Sequence, residues 1–578
     1  MAEAVAGTAA RTMFATRVAI GLGQGLSLYA IYDHEKRIDP VALGALALTA
    51  WLVPVVALGA IGELRRRTLA IWLVVAVALA AAIGAYWGFV DGDHTTDGEI
   101  VPAAAGAAAV LFILHHLITP ADAEGRWRAT YERYADEGWK DAVRLALAVG
   151  FVVALWIILA LGGELFHLIG LDFLKHLLKE KWFIFTSITT FFALAIHLTE
   201  VQVGLVRGAR MLALSLLSWL LVVATLIAVG FLAALPFRGL SALSAAGSAS
   251  GVMLGVCGAL VILMNAAYQE GEADGRPPAV LKWATRIAAL TLPPLVAVAV
   301  YGVGLRIAQH GLSPARIYAC ACLVVAACYA LGYAWAAVSR GRWMARLETT
   351  NWVTAQVVVA VLIALFSPLA DPLRLSADAQ VRRLETGRVK PEAFDYHFLH
   401  FGAGRWGREA LNRLASGNGR EKAPSLAAEE LKVKNKWDKA RPTAGQRATA
   451  LKVVGQPLPP DFVSQTWSAT DDPTAGCDFR SRDCSATTVA LPDGTSEVIV
   501  FRSQFSRNLY ARRAGRWVLL GELLGEGCTE DSAAVARGDI RLAPPTHPDV
   551  LIGGYRFVLS NPDDRPCAGP GRGRPTPR

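Results

Sequence analysis

The most specific chemical signal in this chain is the run Tyr396 to Arg408, within FDYHFLHFGAGRWGREALNRLA. Arg405 and Arg408 stand three residues apart, which places them on nearly one helix face. Gly402 and Gly404 precede them, where a helix start leaves backbone N–H groups to bind a ligand. Such a set suits an anion, either a lipid phosphate or an acidic envelope glycan. His397 and His400 are also three apart, and histidine exchanges protons near neutrality. The plainer reading is a helix–turn–helix lying on a membrane surface, with arginines at headgroups and aromatics as anchors.

His197 and Glu200 sit one helical turn apart near the end of an apolar stretch. Ionisable groups inside a membrane are candidates for proton or ion relays. An interfacial ion pair between Glu200 and Arg207 is the competing explanation. His115 and His116 pose the same question in another stretch, and Arg17 is expected to snorkel. Asp33, His34 and Glu35, and then Asp91, Asp93, His94 and Asp97, follow two other apolar stretches. Acidic loops of this kind are similar to those of membrane transferases that use a lipid-linked substrate and a divalent metal. Those enzymes have a long first outer loop, whereas only Asp33 to Pro40 is available here.

The elements that carry these residues are mostly membrane spans. Of 578 residues, 54% are hydrophobic and 18% are charged. Soluble proteins average about 45–50% and about 25%. A span needs about 20 apolar residues, because lipid offers the backbone no hydrogen-bond partner. Eleven stretches qualify, near 14–32, 41–62, 69–90, 101–118, 143–163, 183–203, 211–235, 251–269, 287–305, 317–338 and 352–370. Glu164–Lys181 reads as an amphipathic surface helix, and Pro293 and Pro294 are expected to kink or break their span. Loops holding Arg65, Arg66 and Arg67, and later Arg126, Arg128, Arg133 and Lys140, are richer in positive charge than those between them. The positive-inside rule then puts the N-terminus in the cytoplasm and, after eleven crossings, the C-terminus outside. The net charge of +9 follows from the same rule, and nucleic acid is not an expected partner.

The division expected is a helical membrane domain over 1–370, a helical juxtamembrane segment over 371–438 and a linker over 439–460. A small β-rich domain over 461–562 and a disordered tail over 563–578 follow. Ser376 is read as capping a juxtamembrane helix. Thr487–Arg502 and Asn508–Gly521 read as hairpins of a small antiparallel sheet. Short strands are expected near Asp539–Leu542 and Tyr555–Leu559. Cys477, Cys484, Cys528 and Cys567 all fall in this region. An even count in an exported domain points to two disulfides, with Cys477–Cys484 and Cys528–Cys567 as the nearest pairs. No metal-ligand spacing accompanies them, so neither a metal nor a cofactor is expected. The fold class is thus an all-α polytopic bundle of about eleven spans followed by a small α+β soluble domain.

The element Asp395, Tyr396, Leu399, Phe401, Gly404, Arg405, Gly407, Arg408, Ala410 and Leu411 resembles the D-Y-x-x-L-x-F-x-x-G-R-x-G-R-x-A-L pattern of a bacterial membrane-protein family. That family is described as domain of unknown function 4153. The resemblance implies a many-span inner-membrane domain and carries no activity, cofactor or partner. No phosphate loop, dinucleotide glycine fingerprint, His-Glu-x-x-His or Gly-x-Ser-x-Gly motif occurs. The leading expectation is a non-enzymatic bacterial inner-membrane protein that anchors an exported, disulfide-bonded domain. Its rivals are a secondary transporter of a small or lipidic solute and a membrane transferase.

Overall fold

The computed structural model describes residues 2–92, 101–201, 203–238, 249–269, 277–417, 422–433, 451–465, 467, 471–474, 484–491, 493–501, 507–523, 550–552 and 555–557. Among these, the side chains of 2–10, 200, 201, 203–207, 209, 210, 238, 249 and 550–557 are not described. The chain divides into two compact units, Met1–Ala428 and Glu429–Arg578.

The first unit is a helical bundle. Its helices are α1 (Ala2–His34), α2 (Pro40–Ala60), α3 (Arg66–Asp91), α4 (Val101–Glu124), α5 (Tyr131–Leu168), the short α6 (Phe173–Leu177) and α7 (Lys181–Val201). There follow α8 (Val203–Arg238), α9 (Ala249–Tyr268), α10 (Ala279–His310), α11 (Pro314–Val338) and α12 (Arg346–Leu365). Ten of the described helices, α2–α5 and α7–α12, are long and apolar enough to cross a membrane. The protein is therefore a multi-pass membrane protein whose bundle sits in a lipid bilayer.

The first expected span lies in α1, which carries Arg17 and Gln24 and is not among those ten. It nonetheless lies along α2 and α7. Arg17 Nη2 donates to Ile61 O over 3.2 Å, and Gln24 Nε2 to Trp51 O over 2.8 Å. Phe14 packs on His197, and Tyr32 on Phe185, at ring separations of 5.3 and 5.8 Å. Phe14 to Tyr32 thus covers the same depth as His197 to Phe185.

Two readings change. Glu164–Lys181 is not one helix: α5 ends at Leu168, Gly170 turns the chain at φ +78°, and α6 occupies only five residues. At Pro293 and Pro294, where a kink or a break is expected, there is no break: α10 continues through both prolines.

Beyond α12 the first unit continues with α13 (Pro372–Glu385), a 3-10 turn (Pro391–Ala393), a π-helical turn (Phe398–Gly402), α14 (Gly404–Ser416) and α15 (Ala423–Glu430). The cap of α13 is Asp371, not Ser376. The Asp371 carboxylate accepts from Leu373 N and Arg374 N, with Pro372 at the first helical position. Ser376 is buried inside the helix and bonds back to Leu373 O. An Asp-Pro pair at a helix start is the stronger signal, because proline there sacrifices no hydrogen bond.

The second unit holds α16 (Pro460–Ser464) and a five-stranded sheet of β1 (Lys452–Val453), β2 (Ser485–Ala490), β3 (Ser496–Phe501), β4 (Arg507–Arg513) and β5 (Arg516–Glu522). Both expected hairpins are present. The sheet is mixed, since β1 pairs in parallel with β2. β1 falls within 439–460, the stretch expected to link domains. Phe462 packs edge-on against Trp467, Tyr510 and Trp517 at 5.2–5.5 Å. Val498 and Val500 alternate onto the same core, as period-two strands require. Two further strands, β6 (Val550–Ile552) and β7 (Tyr555–Phe557), form a separate pair. Asp539–Leu542 and the tail 563–578 lie outside the described residues.

Candidate functional site

Five helices, α1, α2, α4, α5 and α7, line a partly open cavity of about 420 Å3. Its walls are apolar, with Trp51, Val55, Ala109 and Ile196 among them, while Arg17, His115, His116, Asp141 and Arg144 supply polar groups.

Each polar residue is placed by a helix end or a helical repeat. Glu63 sits in the turn between α2 and α3. Glu137, Lys140, Asp141 and Arg144 share one face of α5, because they recur at spacings of three and four. The α4 end is fixed to the α3 start by Asp122, whose carboxylate accepts from Arg65 N, Arg65 Nε and Thr68 Oγ1. This brings His115 and His116, two turns earlier, over the α5 face.

The contacts form one network. Glu63 Oε1 meets Arg144 Nη1 at 2.9 Å and Lys140 Nζ at 3.2 Å. Lys140 also pairs with Glu137. Asp141 Oδ1 meets Arg144 Nη1 at 3.2 Å, and Asp141 Oδ2 meets His116 Nε2 at 3.3 Å. Arg17 belongs to a separate contact at the same cavity, where its Nη1 lies 3.4 Å from His197 Nδ1. Arg17, His115 and Glu137 are all more than nine-tenths buried. Burial pushes the Glu63 carboxyl up, but Lys140 and Arg144 outweigh it and hold the group below its ordinary range.

Glu63, His115 and Asp141 each offer one ligand atom, all within 4.8 Å of one another. They are the sole such trio of His, Cys, Asp or Glu among the described residues. Sequence reading singled out His115, His116 and His197 here and missed the acidic partners. The i, i+3 and i, i+4 alternation from Glu137 to Arg144 was the available signal. The side chain of Glu200 lies outside the described residues.

The Tyr396–Arg408 element sits at the other end of the bundle. Gly404 adopts φ +55°, and a Cβ there would lie 2.7 Å from Val90 O. A Cβ on Gly407 would lie 2.1 Å from Leu399 O, at the preceding π-helical turn. Both glycines therefore permit close docking of α14 onto its neighbours. Trp406 Nε1 donates to Asp371 Oδ2 over 2.8 Å, and Tyr86 Oη donates to the same oxygen over 2.8 Å. The two arginines have different surroundings. Arg405 pairs with Glu409 at 2.7 Å and lies 4.3 Å over the Phe89 ring, while Arg408 Nη2 donates to Asp91 O over 3.3 Å. The rings of His397 and His400 both pack on Phe401, at 4.8 and 4.0 Å. Tyr396 is buried, and burial with Glu392 nearby pushes its phenol up to about 12. The phenol thus stays protonated at neutral pH.

The family model "Domain of unknown function (DUF4153)" matches residues 44–415. The chain belongs to this family. The DUF4153 match runs from α2 to the last turn of α14, so it takes in the bundle and the docked helices together. It stops before the second unit. No curated protein and no solved structure matches the chain.

Other candidates lie apart from the network. Asp33 is exposed beside His34, and Asp91 is buried behind Arg408. Asp93, His94 and Asp97 lie outside the described residues. Cys257, Cys320, Cys322 and Cys328 are free thiols within the bundle. Of the four late cysteines, only Cys484 is described, buried in the sheet core. A larger apolar cavity of about 1000 Å3 is lined by α4, α9, α11 and α12, including Cys257 and Tyr329.

Proposed function

We propose that the DUF4153 bundle of this chain binds and moves an amphiphilic solute, an apolar chain with an anionic head. One observation carries this reading: the 420 Å3 cavity joins apolar walls to a buried polar end. That end is lined by Arg17, His115, His116, Asp141 and Arg144. A cavity among membrane helices and charged at one end is costly to keep without a ligand or ion pathway. The polar site lies inside the stretch that matches the family, which favours the transport reading over one centred on the second unit. The transferase reading has less support, because Asp33 and Asp91 belong to no acidic group among the described residues.

The finer topology belongs to the same proposal. With α1 counted as a crossing, eleven spans put the Glu63 end in the cytoplasm of a bacterial inner membrane. The docked helices and the second unit then lie on the periplasmic side. Disulfides Cys477–Cys484 and Cys528–Cys567 would suit that compartment. Anchoring of the periplasmic unit is then a second role of the same bundle.

The experiment is photolabelling of the purified full chain with a 16-carbon fatty acid carrying a diazirine. Labelled peptides should come from α2 and α4, and Ala109→Trp, which fills the cavity, should abolish that labelling. Arg17→Gln should weaken it. Labelling that ignores Ala109→Trp would refute the cavity as the solute site.

A further inference from the structure

We infer that Glu63, His115 and Asp141 form a binding site for a divalent transition-metal ion, open toward the cavity among α1, α2, α4, α5 and α7. The three residues come from three separate elements, the α2–α3 turn, α4 and α5, so helical repetition does not explain their convergence. Their ligand atoms lie within 4.8 Å of one another. Tetrahedral zinc with bonds of about 2.0–2.2 Å needs ligand atoms about 3.3–3.5 Å apart. Side-chain adjustment of about an ångström therefore closes the site, well within rotamer freedom.

A second observation points to a ligand. Glu63 Oε2 and His115 Nδ1 are buried and have no hydrogen-bond partner. A buried polar atom left without a partner costs stability, and an ion it can bind removes that cost. The neighbouring cations do not occupy these atoms, because Lys140 and Arg144 both reach Glu63 through Oε1. His116 and Arg144 hold Asp141 from either side. Ligating carboxylates are commonly oriented by such outer partners. One imidazole and two carboxylates suit zinc, manganese or ferrous iron. Three protein ligands leave a position for water or a solute group, and His115 and Asp141 both line the cavity.

This site stands on its own residues and does not need the cavity to take an amphiphile. The test uses the full chain purified in detergent, stripped with a chelator and dialysed against Zn2+. Metal content by plasma mass spectrometry should be about one zinc per chain. Co2+ should give visible absorption bands that Zn2+ displaces. Glu63→Gln and His115→Ala should each weaken zinc binding by about tenfold or more. Ala109→Trp should leave it unchanged, so loss of photolabelling and loss of metal are separable. Glu63→Gln keeps the side-chain shape and serves if His115→Ala fails to fold. Wild-type chain without stoichiometric zinc or cobalt bands, or variants that bind like wild type, would overturn the assignment.

Discussion

Trp406 and Tyr86 share one acceptor: both donate to Asp371 Oδ2 at 2.8 Å. The other oxygen of that carboxylate caps α13. A single buried side chain therefore joins α3, the start of α13 and α14. Asp371→Ala removes a helix cap and strands two donors, a loss of about 2–4 kcal/mol. Thermal unfolding in detergent should show it, together with faster protease cleavage near Arg388. Asp371→Asn, which keeps one acceptor oxygen for either the helix cap or the two side-chain donors, should lose less. Equal losses for the two variants would argue against the shared-acceptor account.

Gly404 and Gly407 make a second prediction. An alanine at 404 must adopt a left-handed backbone and press on Val90 O, and one at 407 meets Leu399 O. Each substitution should cost about 1–3 kcal/mol. Cysteines placed at Ala410 and at Leu411, both buried on the docked face, should become more reactive to a water-soluble maleimide as α14 loosens. Gly402→Ala, whose Cβ would meet only the Phe398 ring, should do less.

Composition and period reveal most of this fold in the sequence, and the reason is physical. Lipid forces each span to satisfy its own backbone, so ten helices show as apolar runs that need no tertiary knowledge. The 395–411 pattern marks the docked element, although spacing alone suggested an anion site. In the structure Arg405 meets Glu409, and Arg408 meets the Asp91 carbonyl. The network around Glu63 is harder to read. Glu63, His115 and Asp141 are far apart in the chain, and only helix packing brings them together. In sequence Glu63 looks like a loop residue and Glu137 to Arg144 like a solvated helix start. Ser376 misled because it resembles a cap, while Asp371 hides behind the last apolar residues of α12.

The Asp122 contacts yield a third prediction. Asp122 fixes the α4 end to Arg65 and Thr68 and so sets the position of His115 over α5. Asp122→Ala should reduce zinc affinity about tenfold although it is no ligand, as outer supporting residues do. Arg67→Ala, on the same turn without that contact, should leave affinity unchanged.

A four-residue ring near the Glu63 end yields the last. Tyr333 Oη donates to Asn351 Oδ1 at 2.5 Å, and Asn265 Nδ2 donates to Tyr333 Oη at 2.7 Å. Asn351 Nδ2 donates to Asn265 Oδ1 at 2.6 Å, and Tyr131 Oη donates to the same oxygen at 3.1 Å. The ring ties α5, α9, α11 and α12 together, with Tyr333 fully buried. Polar links between membrane helices contribute about 0.6–2 kcal/mol each. Asn265→Ala and Asn351→Ala each open the same ring, so most of the loss should come with the first. The double variant should then unfold at nearly the temperature of the worse single variant, because members of one network are not additive. Thermal unfolding of the four proteins in one detergent measures this. Strict additivity would mean that the contacts act as separate pairs and that the ring is no cooperative unit.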